Sequence, residues 1–162
     1  MAGKTVICKD VHGKEYEVQV SQLRWRPSAY GIVIRAGKIL LSKQFDSYDL
    51  PGGGVELGET PEEAVVREVK EETGMEVRSR ELLTTRTSFF TWPDPEAPEH
   101  NEALMFYYAC ELVGGELSMD GFDEDEKIYA DMPEWVPLEK LDSFKPASTV
   151  DWRPIVRQAI AD

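Results

Sequence analysis

The chain has little of what soft metal centres and disulfide scaffolds are built from: two cysteines and two histidines in 162 residues. Cys8 and Cys110 stand too far apart for a Cys-x-x-Cys pair, and each sits among apolar, strand-like neighbours. Both therefore read as buried free thiols, with a structural disulfide as the alternative. Long apolar runs are missing as well. The opening MAGKTVICKD is mixed, and no segment approaches the roughly 20 apolar residues of a membrane helix, so a cytoplasmic protein is expected. There is also no basic tract. Eighteen Lys and Arg face 31 Asp and Glu for a net charge of -13, which argues against long nucleic acid and against an anionic membrane as partners. A small phosphate-bearing ligand is not excluded, because a bound metal and a few local cations can carry it. Repeats, low-complexity tracts and linkers are absent, so residues 1–162 read as one domain, long enough to bury a core without staples and either monomeric or homodimeric.

What the chain does have is concentrated in residues 53–75, GGVELGETPEEAVVREVKEETGM. Thr60, Pro61 and Glu63 mark a helix start: a side-chain cap, a fixed first φ and a carboxylate able to complete a capping box. Gly74 after Thr73 marks the end, since glycine takes the left-handed conformation that closes a helix. A helix from Pro61 to Thr73 is predicted. At about 100° per residue, Glu68, Glu71 and Glu72 share one face, beside a buried stripe of Ala64, Val65, Val66 and Val69. With only Arg67 and Lys70 nearby to offset three repelling acids, a hard cation is called for. Oxygen-only ligands point to Mg²⁺ or Mn²⁺. Arg67 can reach Glu71 four residues on and is expected to orient carboxylates, while Glu59 either adds a ligand or pairs with Arg67.

The spacing of the whole stretch is more specific than its acid content. It runs Gly53, five residues, Glu59, seven residues, Arg67, Glu68, apolar Val69, one residue, Glu71, Glu72, one residue, Gly74, and apolar Met75. This resembles the Nudix box at every fixed position. The resemblance implies an α/β fold, a three-layer α/β/α sandwich around a mixed β-sheet, and hydrolysis of a nucleoside diphosphate linked to another group. It further implies that the Gly52 carbonyl joins Glu68, Glu71 and Glu72 in holding metal. A carboxylate from the acidic stretch ahead of Trp135 would complete the site, with Glu126 the candidate and Glu124 behind it.

The rest of the chain reads as scaffold and pocket. TVICKD and EYEVQV form a peripheral hairpin around Gly13, with His12 a surface turn residue. SQLRWRPSA is a connector in which a packed Trp25 carries exposed arginines, although Arg24 and Arg26 could hold a phosphate and Trp25 stack on a base. AYGIVI and KILLSK are strands joined at a tight turn, the first central. Residues 52–54, three glycines, are read as backbone left open to a ligand rather than core strand. MEVRSRELLTTRTSFFTW is a long or broken strand. A proline-rich loop, residues 91–101, follows it and leads to the central strand NEALMFYYACEL. Phe89, Phe90 and Trp92 at the loop's edge are candidates to stack on a base. EWVPLEKL is a strand leading into a helix, and WRPIVRQAIA a closing amphipathic helix with Ile155, Val156, Ala159 and Ile160 inward.

In chemical terms, Glu68 and Glu72, one turn apart, hold one metal together, while Glu71 joins a second metal or takes a proton from water, and Glu72 is also a candidate base. Family subclasses are marked by a proline or tyrosine about 15 to 18 positions past the box. Here Phe90, Thr91, Trp92 and Pro93 stand there, with neither mark in its usual place. The default expectation is a nucleoside triphosphate, modified or not, cut to monophosphate and pyrophosphate. ADP-ribose, a nucleotide sugar or a dinucleoside polyphosphate are alternatives, as is a non-catalytic nucleotide-sensing module.

Overall fold

A computed structural model describes residues 3–94 and 96–161. Strands β1 (Thr5–Lys9) and β2 (Glu15–Gln19) pair antiparallel around the Gly13 turn. They are followed by β3 (Arg24–Arg35), β4 (Lys38–Gln44), β5 (Ser47–Asp49), β6 (Gly52–Gly54) and helix α1 (Pro61–Thr73). The long strands β7 (Met75–Trp92) and β8 (Glu99–Gly115), then β9 (Ala130–Pro137) and helix α2 (Arg153–Ala161), complete the chain. The sheet runs β2-β1-β7-β8-β3-β4-β5, with β6 on β3 and β9 on β4. It is mixed, because β3 pairs parallel to β8 and β1 parallel to β7.

Alternation along the strands divides the core between the two faces of this sheet. Ala29 and Val33 of β3, Leu40 of β4 and Tyr108 of β8 pack with Ala64, Val65 and Val69 of α1. Their neighbours Ile32, Ile39, Leu41, Met105 and Tyr107 turn the other way and pack with Trp152, Ile155 and Val156 at α2. The result is the α/β sandwich expected from the box. Helix α1 has its predicted bounds: Thr60 Oγ1 accepts from the Glu63 N–H at 3.2 Å, and the Thr60 N–H donates to Glu63 Oε2 at 2.8 Å. Gly74 closes the helix at φ 75°.

Several local expectations are corrected. Residues 24–26 are strand, not connector, because β8 offers them a parallel ladder from Asn101 to Ala103; Trp25, expected to be packed, is 62% exposed. The three glycines are strand too, paired with Ser28, Ala29 and Tyr30. Trp92 still belongs to β7 and Glu99 opens β8, so the proline-rich loop is shorter than its composition suggests. A 3₁₀ turn, Leu138–Ser143, replaces the helix expected after β9. Ile160 is exposed near the end of α2.

Candidate active site

Strand β6 lies beside α1, and glycine is what lets the two approach. A Cβ at Gly53 would fall 2.7 Å from Glu68 Oε1 and 2.8 Å from Oε2, so a side chain there would push that carboxylate from its place. One turn on, Glu72 is 7% exposed. Its Oε2 accepts from the Gly52 N–H at 3.1 Å and its Oε1 from Gln44 Nε2 at 3.2 Å. Both donors are neutral. Burial, and then the charge of Glu68, push the Glu72 carboxyl well above the usual range. Burial also raises Glu68, against the pull of Arg67. Asp49, at the end of β5, is pushed up to about 7 by loss of solvent.

Arg67 binds the remaining acids together. Its Nε donates to Glu59 Oε1 at 2.9 Å and its Nη2 to Glu59 Oε2 at 3.0 Å; Nη1 donates to Glu68 Oε1 and to Glu71 Oε2, both at 3.0 Å. A fifth bond runs from Nη2 to the Gly54 carbonyl at 2.9 Å. Of the two roles open to Glu59, the structure places it as the partner of Arg67, whose hydrogen bond holds its carboxyl below the ordinary range.

A cleft of about 160 Å³ opens beside these groups. Glu68, Glu72, Gly52 and Glu126 line it, as do Arg26, Phe90 and Trp92. Glu59, Arg67 and Glu71 are not among its lining residues, and Phe89 is absent because alternation along β7 turns it away from Phe90. Glu126 sits in a short 3₁₀ turn, Glu126–Ile128, where its Oε2 accepts from the Asp123 N–H at 2.9 Å; its charge acts on both Glu68 and Glu72. Glu124 is instead paired with Lys127. Sequence reasoning missed Gln44, Phe45, Asp49 and Tyr129, all of which line the cleft. Val11 of the hairpin regarded as peripheral reaches it too. The signal at Phe45 was hidden, since Gln44-Phe45-Asp46-Ser47 contains no Gly, Asn or Pro to announce the tight turn it makes.

Among the described residues no three carboxylate, imidazole or thiol groups are gathered into a metal-ligating set as they stand. Arg67 engages Glu68 and Glu71, and the Gly52 N–H and Gln44 engage Glu72. The donor chemistry nevertheless fits a hard divalent cation. Glu68 and Glu72 offer only oxygen, are largely withdrawn from water and face the same glycine backbone; Glu68 shares Arg67 with Glu59 and Glu71, and among the described residues Glu72 has no cationic partner at all. These two would hold the ion. Glu71, 46% exposed and bound to Arg67, stands at the rim.

Comparison with known proteins identifies the family. The NUDIX domain model matches residues 25–158. The chain is 40% identical over 107 residues to an ADP-ribose pyrophosphatase of Methanocaldococcus jannaschii, an alignment covering 63% of this chain and 59% of that protein. It is 30% identical over 141 residues to an RNA pyrophosphohydrolase of Hydrogenovibrio crunogenus, covering 75% of this chain and 81% of that one. Among solved structures, a UDP-X diphosphatase superposes with a TM-score of 0.64 at 19% identity, over 85% of this chain and 64% of that one, a likeness of fold alone. With an intact box whose buried acids face one cleft, and a domain match that spans most of its length, this chain belongs to the Nudix hydrolase family.

Proposed function

We propose that the chain is a metal-dependent pyrophosphohydrolase that cuts a nucleoside diphosphate linked to another moiety, with a nucleoside triphosphate, modified or not, as the leading substrate and monophosphate and pyrophosphate as products. The observation that carries this reading is the pair of carboxylates withdrawn from water, Glu68 sharing one arginine with two other acids and Glu72, among the described residues, with none, facing the backbone of β6 inside a cleft that also holds Arg26. Nudix enzymes generally use divalent metal ions. When bound, Mg²⁺ or Mn²⁺ would neutralise the anhydride and acidify a water. Glu68 and Glu72, with the Gly52 carbonyl, would hold it.

The chain's own groups supply the rest. Arg26 is the one Lys or Arg lining the cleft, and among the described residues it forms no ion pair, which leaves it available to phosphate oxygens. Glu126 lines the cleft whereas Glu71 is held outside it by Arg67, so Glu126 is favoured over Glu71 as proton acceptor from the attacking water. Arg67 and Glu59 position the helix acids rather than touch substrate. Phe90 and Trp92 face the substrate's nucleoside. The protein is taken to be cytoplasmic and a monomer or homodimer, with no role for membranes. Its charge of -13 weighs against a long RNA as substrate.

A second reading, ADP-ribose hydrolysis, is supported by the name of the archaeal relative. One experiment addresses both. Nucleoside triphosphates, ADP-ribose, UDP-sugars, dinucleoside polyphosphates and a 5′-triphosphorylated oligonucleotide are incubated with Mg²⁺ or Mn²⁺, and products are resolved by ion-exchange chromatography. Monophosphate plus pyrophosphate supports the leading reading, and AMP plus ribose 5-phosphate the second. Glu72→Gln lowers turnover by about 100-fold or more. Tight binding of one compound with turnover of none would replace the enzyme with a sensing module.

A further inference from the structure

Phe45 carries a backbone conformation that bulky residues avoid. It sits at φ 48°, followed by Asp46 at φ 58°, as the two central residues of the β4–β5 hairpin, where Gln44 pairs with Ser47. Two-residue hairpin turns with both centres left-handed select Asn and Gly, and a large aromatic side chain there is a genuine outlier. Strain of this kind persists where the surroundings over-determine it, and it clusters at ligand-binding sites.

At Phe45 the surroundings are aromatic. Its ring lies parallel to Tyr129, with centroids 4.9 Å apart and planes at 4°. Trp92 stands edge-on to both, 5.8 Å from Phe45 and 5.5 Å from Tyr129. The Phe45 N–H donates to the Tyr129 carbonyl at 3.1 Å and pins the turn to that loop. The three rings come from three separate places: the tip of a hairpin, the last residue of β7 and the loop before β9. All three line the cleft and all are half-buried, so none is consumed by the core.

We propose that Phe45, Trp92 and Tyr129 form an aromatic shelf that binds the planar base of the substrate, making the chain selective for diphosphates that carry a nucleobase over polyphosphates that carry none. This rests on the reading of the cleft as the site of anhydride hydrolysis. Rings 4.9 Å apart leave no space between them, so the base adds to the stack from the cleft side, where Trp92 closes the corner. Offset-stacked and edge-to-face arrangements are the ones aromatic groups prefer. Such contacts read planarity and ring area, which orders purines above pyrimidines and tolerates base modification. With its base on the shelf, the nucleotide has Arg26 within the same cleft for its phosphates and the Glu68–Glu72 pair for the reacting end.

The test is Phe45→Gly, which removes the ring and also relieves the left-handed strain, so the turn is kept. Titration of the metal-free protein with AMP or GMP, followed by tryptophan fluorescence, reads the shelf without turnover; Trp92→Phe identifies the Trp92 contribution against Trp25, Trp135 and Trp152. In steady state with Mg²⁺, KM for a purine triphosphate rises about 10-fold or more in Phe45→Gly, the scale of one lost stacking contact, while kcat and the inhibition constant of inorganic tripolyphosphate change little. Phe45→Trp restores KM. Equal KM in Phe45→Gly and wild type, or a fall in kcat with KM unchanged, overturns the shelf; the second result would assign Phe45 to holding the Glu126 loop. If wild type binds mononucleotides in a Phe45-dependent way but hydrolyses nothing, the shelf stands and the enzymatic reading falls. Hydrolysis without Phe45 dependence is the reverse case.

Discussion

Replacing Arg67 by alanine should unfold part of what the box holds together, and the size of the effect follows from its contacts. The guanidinium makes five hydrogen bonds, four of them to the carboxylates of Glu59, Glu68 and Glu71. The side chains of Arg67, Glu59 and Glu68 are only 25, 15 and 14% exposed, so water replaces the lost partner poorly; Glu71 at 46% is largely rescued by solvent. Removing one member of a buried ion pair costs about 3–5 kcal/mol, and partial screening here brings the expectation to about 3 kcal/mol. In a domain of this size that lowers Tm by roughly 6–12 °C. The measurement is thermal unfolding in EDTA. Arg67→Lys keeps the charge but loses the planar fork, and should recover only part of the loss. The cost also depends on pH with a definite sign. The Arg67 bond lowers the Glu59 pKa in the folded state, so this stabilisation is present above the unfolded carboxylate pKa and lost as pH falls through the lower folded value. The gap between wild type and Arg67→Ala therefore narrows in acid. An Arg67→Ala Tm within about 2 °C of wild type at neutral pH would mean that the network does not stabilise the fold.

Buried acids act in the opposite direction. The folded pKa of Glu72 is raised, chiefly by burial, and that of Asp49 is raised to about 7 from 3.8. Stability tied to these groups is fully present below their unfolded pKa values, near pH 4, and is lost as pH rises through their folded values, which for Asp49 is about 7. In EDTA, Glu72→Gln should therefore gain stability relative to wild type as pH rises across that window, even as its turnover falls; a constant Tm difference between pH 4.5 and 7.5 would remove the claim that Glu72 is short of positive charge. Thr60→Ala removes one half of the capping box and should cost about 1 kcal/mol in urea unfolding with an unchanged m-value, whereas Thr60→Ser should cost much less.

How far the fold and the site could be read in advance depends on the range of the signal. Helix α1 was legible to the residue because its cap, its first-turn proline and its closing glycine are contiguous with it. The pairing of Arg67 with Glu71 follows from helical spacing alone. Residues 24–26 and 52–54 were misread because what makes them strands is a partner elsewhere in the chain: β8 for the first and β3 for the second. Isolated glycines and a Trp-Arg-Pro run offer no local reason to extend.

By itself the sequence determined the box helix, the family to which its spacing belongs, the burial of the sheet on both faces implied by the continuous apolar runs of its central strands, and the acidic chemistry of the site. All of these follow from neighbours a few positions apart. Only the tertiary structure decided which acids go where. Sheet register brings Gly53 onto Glu68 and Gln44 onto Glu72, draws Glu126 into the cleft from 50 residues away and more, and leaves Glu71 with Arg67 at the rim. It also gathers Phe45, Trp92 and Tyr129 into one corner. A helix's period is a local property of the chain, but the meeting of a hairpin tip, a strand end and a loop is set by how the whole sheet pairs and curls, and no short stretch of sequence encodes that.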